Sequence, residues 1–512
     1  MAMKLLMLVI FFAIMVSVGI YARKHATSVD GYVLGGRSVG PWLTAFAYGT
    51  SYFSAVVFVG YAGQFGWKYG LASTWIGIGN AIIGSLLAWV VLGRRTKVMT
   101  QHLNSKTMPD FFGERYGSKA LKITASAIVF IFLVPYTASV YNGLSRLFGM
   151  AFNIPYKYCV IGMAVFTGIY VILGGYMATA INDFIQGIIM LAGIIAIIVA
   201  VLHSKGGFMA ALDGLGHVSD STVSSTPGVF GSFFGPDPVS LLSVVILTSL
   251  GTWGLPQMVQ KFYAIDNEDS IKKGTIISTI FALVVSGGCY FLGGFGRLFS
   301  DKIDIAANGY DSIIPTMLEN LHPLLIALVV ILVLSASMST LSSLVIASSS
   351  TLTIDLIKDN VVKDMSDKKQ VLCIRVLIVI FIAISAIIAV IQYKSAVTFI
   401  AQLMGISWGA LAGSFLAPFL YSLYWKKTTK AACWTSFIFG CIIMVLNLVA
   451  GSHFPALLQS PINCGAFAML AGLIIVPVVS LFTKKPDTAL IENTFACYDK
   501  TNTVTQKTAL GK

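Results

Sequence analysis

Residues 240–262 read SLLSVVILTSLGTWGLPQMVQKF, an apolar stretch interrupted by Gly251, Gly254 and Pro256. The stretch is long enough to cross a bilayer. A proline inside a helix removes one backbone hydrogen bond and clashes with the carbonyl one turn back, so the helix should break there. Residues 40–66, GPWLTAFAYGTSYFSAVVFVGYAGQFG, have a similar weak point at Gly49-Thr50-Ser51-Tyr52-Phe53-Ser54. The two stretches are five apolar segments apart. Paired interruptions at matching places of two five-span halves point to an inverted-repeat transporter. Unwound backbone is tolerated in a membrane only where it lines a cavity or is buried in protein. Gly and Pro also mark close helix packing, so the pattern alone admits both readings.

Composition settles the class. The chain has 512 residues, 56% hydrophobic and 11% charged, with mean hydropathy +0.84. Apolar segments recur from end to end, near 4–23, 40–66, 70–93, 121–152, 157–176, 178–203, 240–262, 273–297, 323–350, 370–392, 395–424, 430–450 and 460–482. They are called spans zero to twelve below. The expected fold is all-α and polytopic, with about thirteen transmembrane helices. Span zero lacks the small-residue cleavage site of a signal peptide and reads as retained. The seven cysteines form no CxxC and read as small apolar residues.

The net charge of +13 follows the spans. With the N-terminus outside, Arg94, Arg95, Lys97, Lys106, Arg115, Lys119 and Lys122 fall in one inside loop, and Lys484 and Lys485 open an inside tail. Asp301, Asp304, Asp311 and Glu319 fall outside. This is the positive-inside bias. It predicts a multi-pass plasma (inner) membrane protein with a cytoplasmic C-terminus, and it implies no nucleic-acid partner. The tail after Thr483 reads as polar and disordered, and the Gly- and Ser-rich loop 204–239 as the longest outside one.

Span eight carries a second signal. Within SASMSTLSSL, residues 335–344, Ala336, Ser339, Thr340 and Ser343 share one helix face, with Ser342 beside it. Such a face can bond back to its own carbonyls or join helices. It can also hold a small hard cation, because Na⁺ takes neutral oxygens and an unwound span one would offer free carbonyls opposite. Asp183 on span five is either a helix cap or an intramembrane carboxylate, which is functional by default. The six histidines are scattered at 25, 102, 203, 217, 322 and 453, so no catalytic group is expected and the chain does not read as an enzyme.

Four motifs in order, YVLGGRSVGPW (32–42), TMPDFFGERYG (107–117), ILGGYMATAINDFIQG (172–187) and SASMSTLSS (335–343), make the chain similar to the sodium:solute symporters over nearly its whole length. The resemblance implies a LeuT-type core of two inverted five-helix repeats at 40–424. Residues 1–39 then hold an extra first helix and loop, 425–483 two extra helices, and 484–512 a cytoplasmic tail. It implies Na⁺ as the co-transported ion, on the carbonyls of Thr50, Phe53 and Ala336 and the hydroxyls of Ser339 and Thr340. A second Na⁺, as in sialic acid carriers, would use Asp183, Ser339, Ser342 and Ser343.

The other expected partners are a small-molecule solute and the lipid bilayer. The solute expected from the resemblance is a carboxylate or amino acid such as pantothenate or proline. GWKYGL (66–71) and NDFIQG (182–187) lean to pantothenate, whereas Tyr52, Thr248 and Thr252 depart from the proline pattern. The rival readings are a Na⁺/sugar or sialic acid carrier and a sodium-independent exchanger of the same fold. Tyr52, Gln64, Tyr136, Tyr141, Thr248, Thr252, Trp253 and Gln257 are the candidate solute pocket.

Overall fold

A computed structural model of the chain describes residues 2–152, 154–221, 223–224, 226–362, 364–394 and 400–498. Helices carry nearly all of it, and the β pairing among these residues is two isolated bridges. That is the outcome a bilayer enforces, since each helix satisfies its own backbone.

Span one runs Pro41–Tyr52, breaks, and resumes as Val56–Tyr61 and Ala62–Tyr69. Phe53 at the break is extended (φ −94°, ψ 111°). Span six is Pro238–Gly254 followed by Pro256–Ala264, bent by 47° at Leu255. Pro256 starts the second half, where its missing N–H costs nothing. Gly251 and Gly254 are also packing positions. A Cβ on Gly251 would lie 2.7 Å from the Trp408 ring, and one on Gly254 2.8 Å from Ala412 Cα.

Among the described residues, ten helical stretches are long and apolar enough to cross a membrane, or eleven with the bent pair as one. Two of them, Val56–His102 (47 residues) and Tyr156–Ser204 (49 residues), are each long enough for two crossings and hold a glycine at positive φ: Gly70 (φ +61°) and Gly175 (φ +55°). A side chain is strained at such φ. A Cβ on Gly175 would also come within 2.8 Å of the Tyr32 carbonyl oxygen. Counting each as two crossings gives about thirteen. Spans eight (Pro323–Thr351) and ten (Ile400–Tyr424) are buried almost throughout. Spans zero, nine, eleven and twelve turn Leu, Ile and Val outward, as lipid-facing helices should.

Three local expectations are corrected. Span two continues as the helix Arg94–His102, so part of the basic loop is helical. The loop 204–239 contains the helix Phe208–His217. Residues 488–498 of the tail are also helical. That helix buries Phe495 and Cys497, and the Arg115 guanidinium lies 5.0 Å from the Phe495 ring centre. The Tyr498 hydroxyl donates to the Leu423 carbonyl at 3.1 Å. Residues 499–512 lie outside the described ones. On the same face Lys122 Nζ gathers Asp110 (2.8 Å), Asp359 (2.6 Å) and Asp355 (3.8 Å), while Thr107 donates to Asp355 at 2.6 Å. This cluster ties the TMPDFFGERYG segment to the ends of spans three and eight.

Candidate cation and solute site

The break in span one leaves carbonyls without helical partners, and span eight meets them with hydroxyls. Ser339 Oγ lies 3.0 Å from the Thr50 carbonyl oxygen and 3.0 Å from that of Ala336. Thr340 Oγ1 lies 3.3 Å from Thr50 O, 3.3 Å from Phe53 O and 3.1 Å from Ala336 O. All five residues are buried. Local sequence builds this arrangement. Ser54 Oγ accepts from the Val56 N–H at 3.2 Å and starts the second half of span one. The Ala55 N–H donates to Ser337 Oγ at 3.3 Å, fixing span one against span eight.

Each hydroxyl has one proton and faces two or three carbonyl oxygens, so it fully satisfies only one of them. The result is a buried cluster of five oxygens with too few protons. Its donor set is hard, neutral and all oxygen, which suits an alkali or alkaline-earth cation and not a zinc or copper ion. Na⁺ fits it without a carboxylate, and a neutral shell allows the ion to leave again. The two span-eight hydroxyls and three carbonyls that the family resemblance implies lie together in one place.

The second group differs from its expected form. Asp183 does not cap a helix, because it lies well inside Tyr156–Ser204 and beyond the kink at Gly175. It is buried, and neither of its carboxylate oxygens accepts a hydrogen bond among the described residues. Ser343 Oγ lies 2.9 Å from Ser51 Oγ. Ser342 Oγ donates to the Ser339 carbonyl at 2.8 Å, on its own helix. Between Asp183 and Ser343 stands Lys261, which the sequence reading did not select. Its Nζ is 3.0 Å from Ser343 Oγ and 4.0 Å from Asp183 Oδ2.

The candidate solute residues divide. Thr248 Oγ1 bonds back to the Val244 carbonyl at 2.9 Å. Thr252 donates to Gly84 O at 3.0 Å and Trp253 Nε1 to Ile83 O at 2.9 Å. These three tie span six to itself and to span two, so their polar atoms are already bonded within the protein. Gln257, directly after the break, is buried, and neither of its amide atoms has a hydrogen-bond partner among the described residues. The buried Tyr141 hydroxyl likewise has none among them. Tyr136 meets Trp408 edge to face, centroids 5.8 Å apart, and Trp408 also covers Gly251 at the break. Trp408 was missed because MGISWGALAGS reads as small-residue packing. Gln64 lines a cavity of about 750 Å³ with Lys68, Asp237, Arg297 and Gln402. The side chain of Tyr52 lies outside the described residues.

The chain is similar to known proteins in family, sequence and fold. The model of the sodium:solute symporter family matches residues 32–440. The osmoregulated proline transporter OpuE of Bacillus subtilis (strain 168) is 28% identical over 481 residues, 93% of this chain and 94% of that protein. The sodium/proline symporter of Staphylococcus aureus (strain NCTC 8325 / PS 47) is 30% identical over 495 residues, 94% of this chain and 93% of that protein. Among solved structures, a Na⁺-coupled sialic acid symporter in a substrate-bound outward-open state superposes with a TM-score of 0.74. That pair shares 14% identity and covers 94% of this chain and 98% of the other, a likeness of fold.

Proposed function

The chain belongs to the sodium:solute symporter family, which makes it a Na⁺-coupled carrier of a small organic solute, and we propose that its coupling ion binds between the break in span one and the hydroxyl face of span eight. The ligands are the carbonyl oxygens of Thr50, Phe53 and Ala336 and the hydroxyls of Ser339 and Thr340. The observation that carries this reading is their convergence within hydrogen-bond range of one another in a buried, proton-poor cluster.

The transport core is residues 40–424, with the N-terminus outside and the tail in the cytoplasm of the cell whose plasma membrane it crosses. Na⁺ enters from outside and pulls the carbonyls of span one toward span eight. That fixes the half-helices of span one and favours the conformation that accepts solute. The solute then binds beside the breaks, against Tyr136, Tyr141 and Gln257, with Trp408 closing the apolar side and Gln64 in the approach. Loss of Na⁺ to the cytoplasm frees span one from span eight and releases the solute. The Na⁺ gradient drives the cycle, and the membrane potential adds about 2.3 kcal/mol per charge per 100 mV.

The solute is an amino acid, and L-proline is the first candidate. Support comes from two relatives named for proline that match nearly the whole chain. It outweighs the lean toward pantothenate, which rested on two short motifs. A purified chain screened for thermal stabilisation against amino acids, pantothenate, hexoses and sialic acid, with and without Na⁺, tests this. A ligand that binds only the folded state raises stability. Stabilisation by an amino acid in Na⁺ but not in K⁺ is expected. Stabilisation by a hexose alone would refute the solute class.

A further inference from the structure

We propose that the ammonium group of Lys261 is a built-in cation occupying the position beside Asp183, so that one Na⁺, and not two, binds to this chain. The proposal rests on the reading of the first Na⁺ position given above.

Lys261 lies on Pro256–Ala264, the second half of broken span six. The 47° bend at Leu255 turns this half away from the axis of the first. Its side chain is 2% exposed and that of Asp183 1%. Four spans meet around the ammonium. Span six supplies it, span five supplies Asp183 at 4.0 Å and span eight supplies Ser343 at 3.0 Å. Span one supplies Ser51, whose hydroxyl lies 2.9 Å from that of Ser343. The ring of Tyr176, also on span five, lies with its centre 5.0 Å from Nζ.

A buried carboxylate that stays ionised needs a cation close by. Asp183 has no hydrogen-bond donor among the described residues, and Lys261 is the charged partner at hand. Two of the oxygens that a second Na⁺ would use, from Asp183 and Ser343, therefore already flank a positive charge. A Na⁺ placed there would set two monovalent cations against one carboxylate in a low-dielectric interior, where like charges repel strongly. A tethered ammonium balances Asp183 but cannot be released to either side of the membrane. It joins spans five, six and eight electrostatically while adding nothing to the ions that move.

The count of bound ²²Na⁺ on the purified full-length chain tests this. Wild type should saturate at one Na⁺ per chain and Lys261→Ala at two. Lys261→Arg, which keeps the charge, should stay at one. Ser339→Ala/Thr340→Ala should bind none. Two Na⁺ on wild type, or one on folded Lys261→Ala, overturns the proposal. Retained binding in Ser339→Ala/Thr340→Ala would instead count against the first Na⁺ position, so the two failures are distinct. If Lys261→Ala unfolds during purification, its melting temperature in membranes is compared in Na⁺ and K⁺. The Na⁺-over-K⁺ difference in Lys261→Ala should exceed that of wild type, because Na⁺ takes the vacated place as well as the first position. A difference no larger than that of wild type overturns the proposal.

Discussion

Thr340→Val replaces the hydroxyl that faces three carbonyl oxygens with a methyl group of similar shape. In the absence of Na⁺ the hydroxyl makes one shared, long hydrogen bond at 3.1–3.3 Å. Its loss should lower stability by about 1 kcal/mol. With Na⁺ bound the same oxygen is one of five neutral ligands, and an interaction with a charged group is worth about 1.5–3 kcal/mol. Taking about 2 kcal/mol, the Na⁺ concentration that half-saturates the chain should rise about 30-fold. The assay is the rise in melting temperature of the purified chain as Na⁺ replaces K⁺ at constant ionic strength. Constant ionic strength removes general screening from the comparison. Ser342→Ala is the control, because its hydroxyl bonds to the Ser339 carbonyl on its own helix. Its half-saturation should stay at the wild-type value. A folded Thr340→Val protein with wild-type Na⁺ dependence would refute the assignment.

Gln257→Leu should raise the solute KM at least about 10-fold, the size of one lost hydrogen bond of about 1.4 kcal/mol, with Na⁺ half-saturation unchanged in radiolabelled uptake. Thr252→Val should lower the melting temperature without that KM change, since its hydroxyl bonds to Gly84. Lys122→Met strips the charge partner from buried Asp355 and should destabilise the folded chain by about 3 kcal/mol, read as a lower melting temperature. Phe495→Ala should undock the tail helix at a cost of about 3 kcal/mol. Trypsin would then cut at Lys484 and Lys485 faster than in wild type, with uptake retained.

How far the sequence reached can be traced residue by residue. Pro256 acts through a local backbone rule, so the break in span six was legible without any partner in view. Ser339 and Thr340 were legible because helical periodicity alone puts them on one face. Lys261 was not, because VQKFYAI at the end of an apolar run reads as a basic residue reaching toward headgroups. Its inward placement depends on the bend at Leu255 and on which spans lie beside it. The same limit hid the bonds of Thr252 and Trp253 to span two, since residue type does not say which span lies against them. The tail helix was hidden by its polar composition. Ile491, Phe495 and Tyr498 do follow an i, i+4, i+7 track, but one short track weighs little in a polar segment.

The central claim is that the Na⁺ gradient moves an amino acid through this chain. Liposomes containing the purified protein, loaded with K⁺ and diluted into Na⁺ or K⁺ buffer without any other energy source, test it directly with radiolabelled L-proline. Proline should accumulate only in the vesicles diluted into Na⁺, and it should run out again when the Na⁺ gradient is reversed. Equal accumulation in the two buffers would contradict the claim.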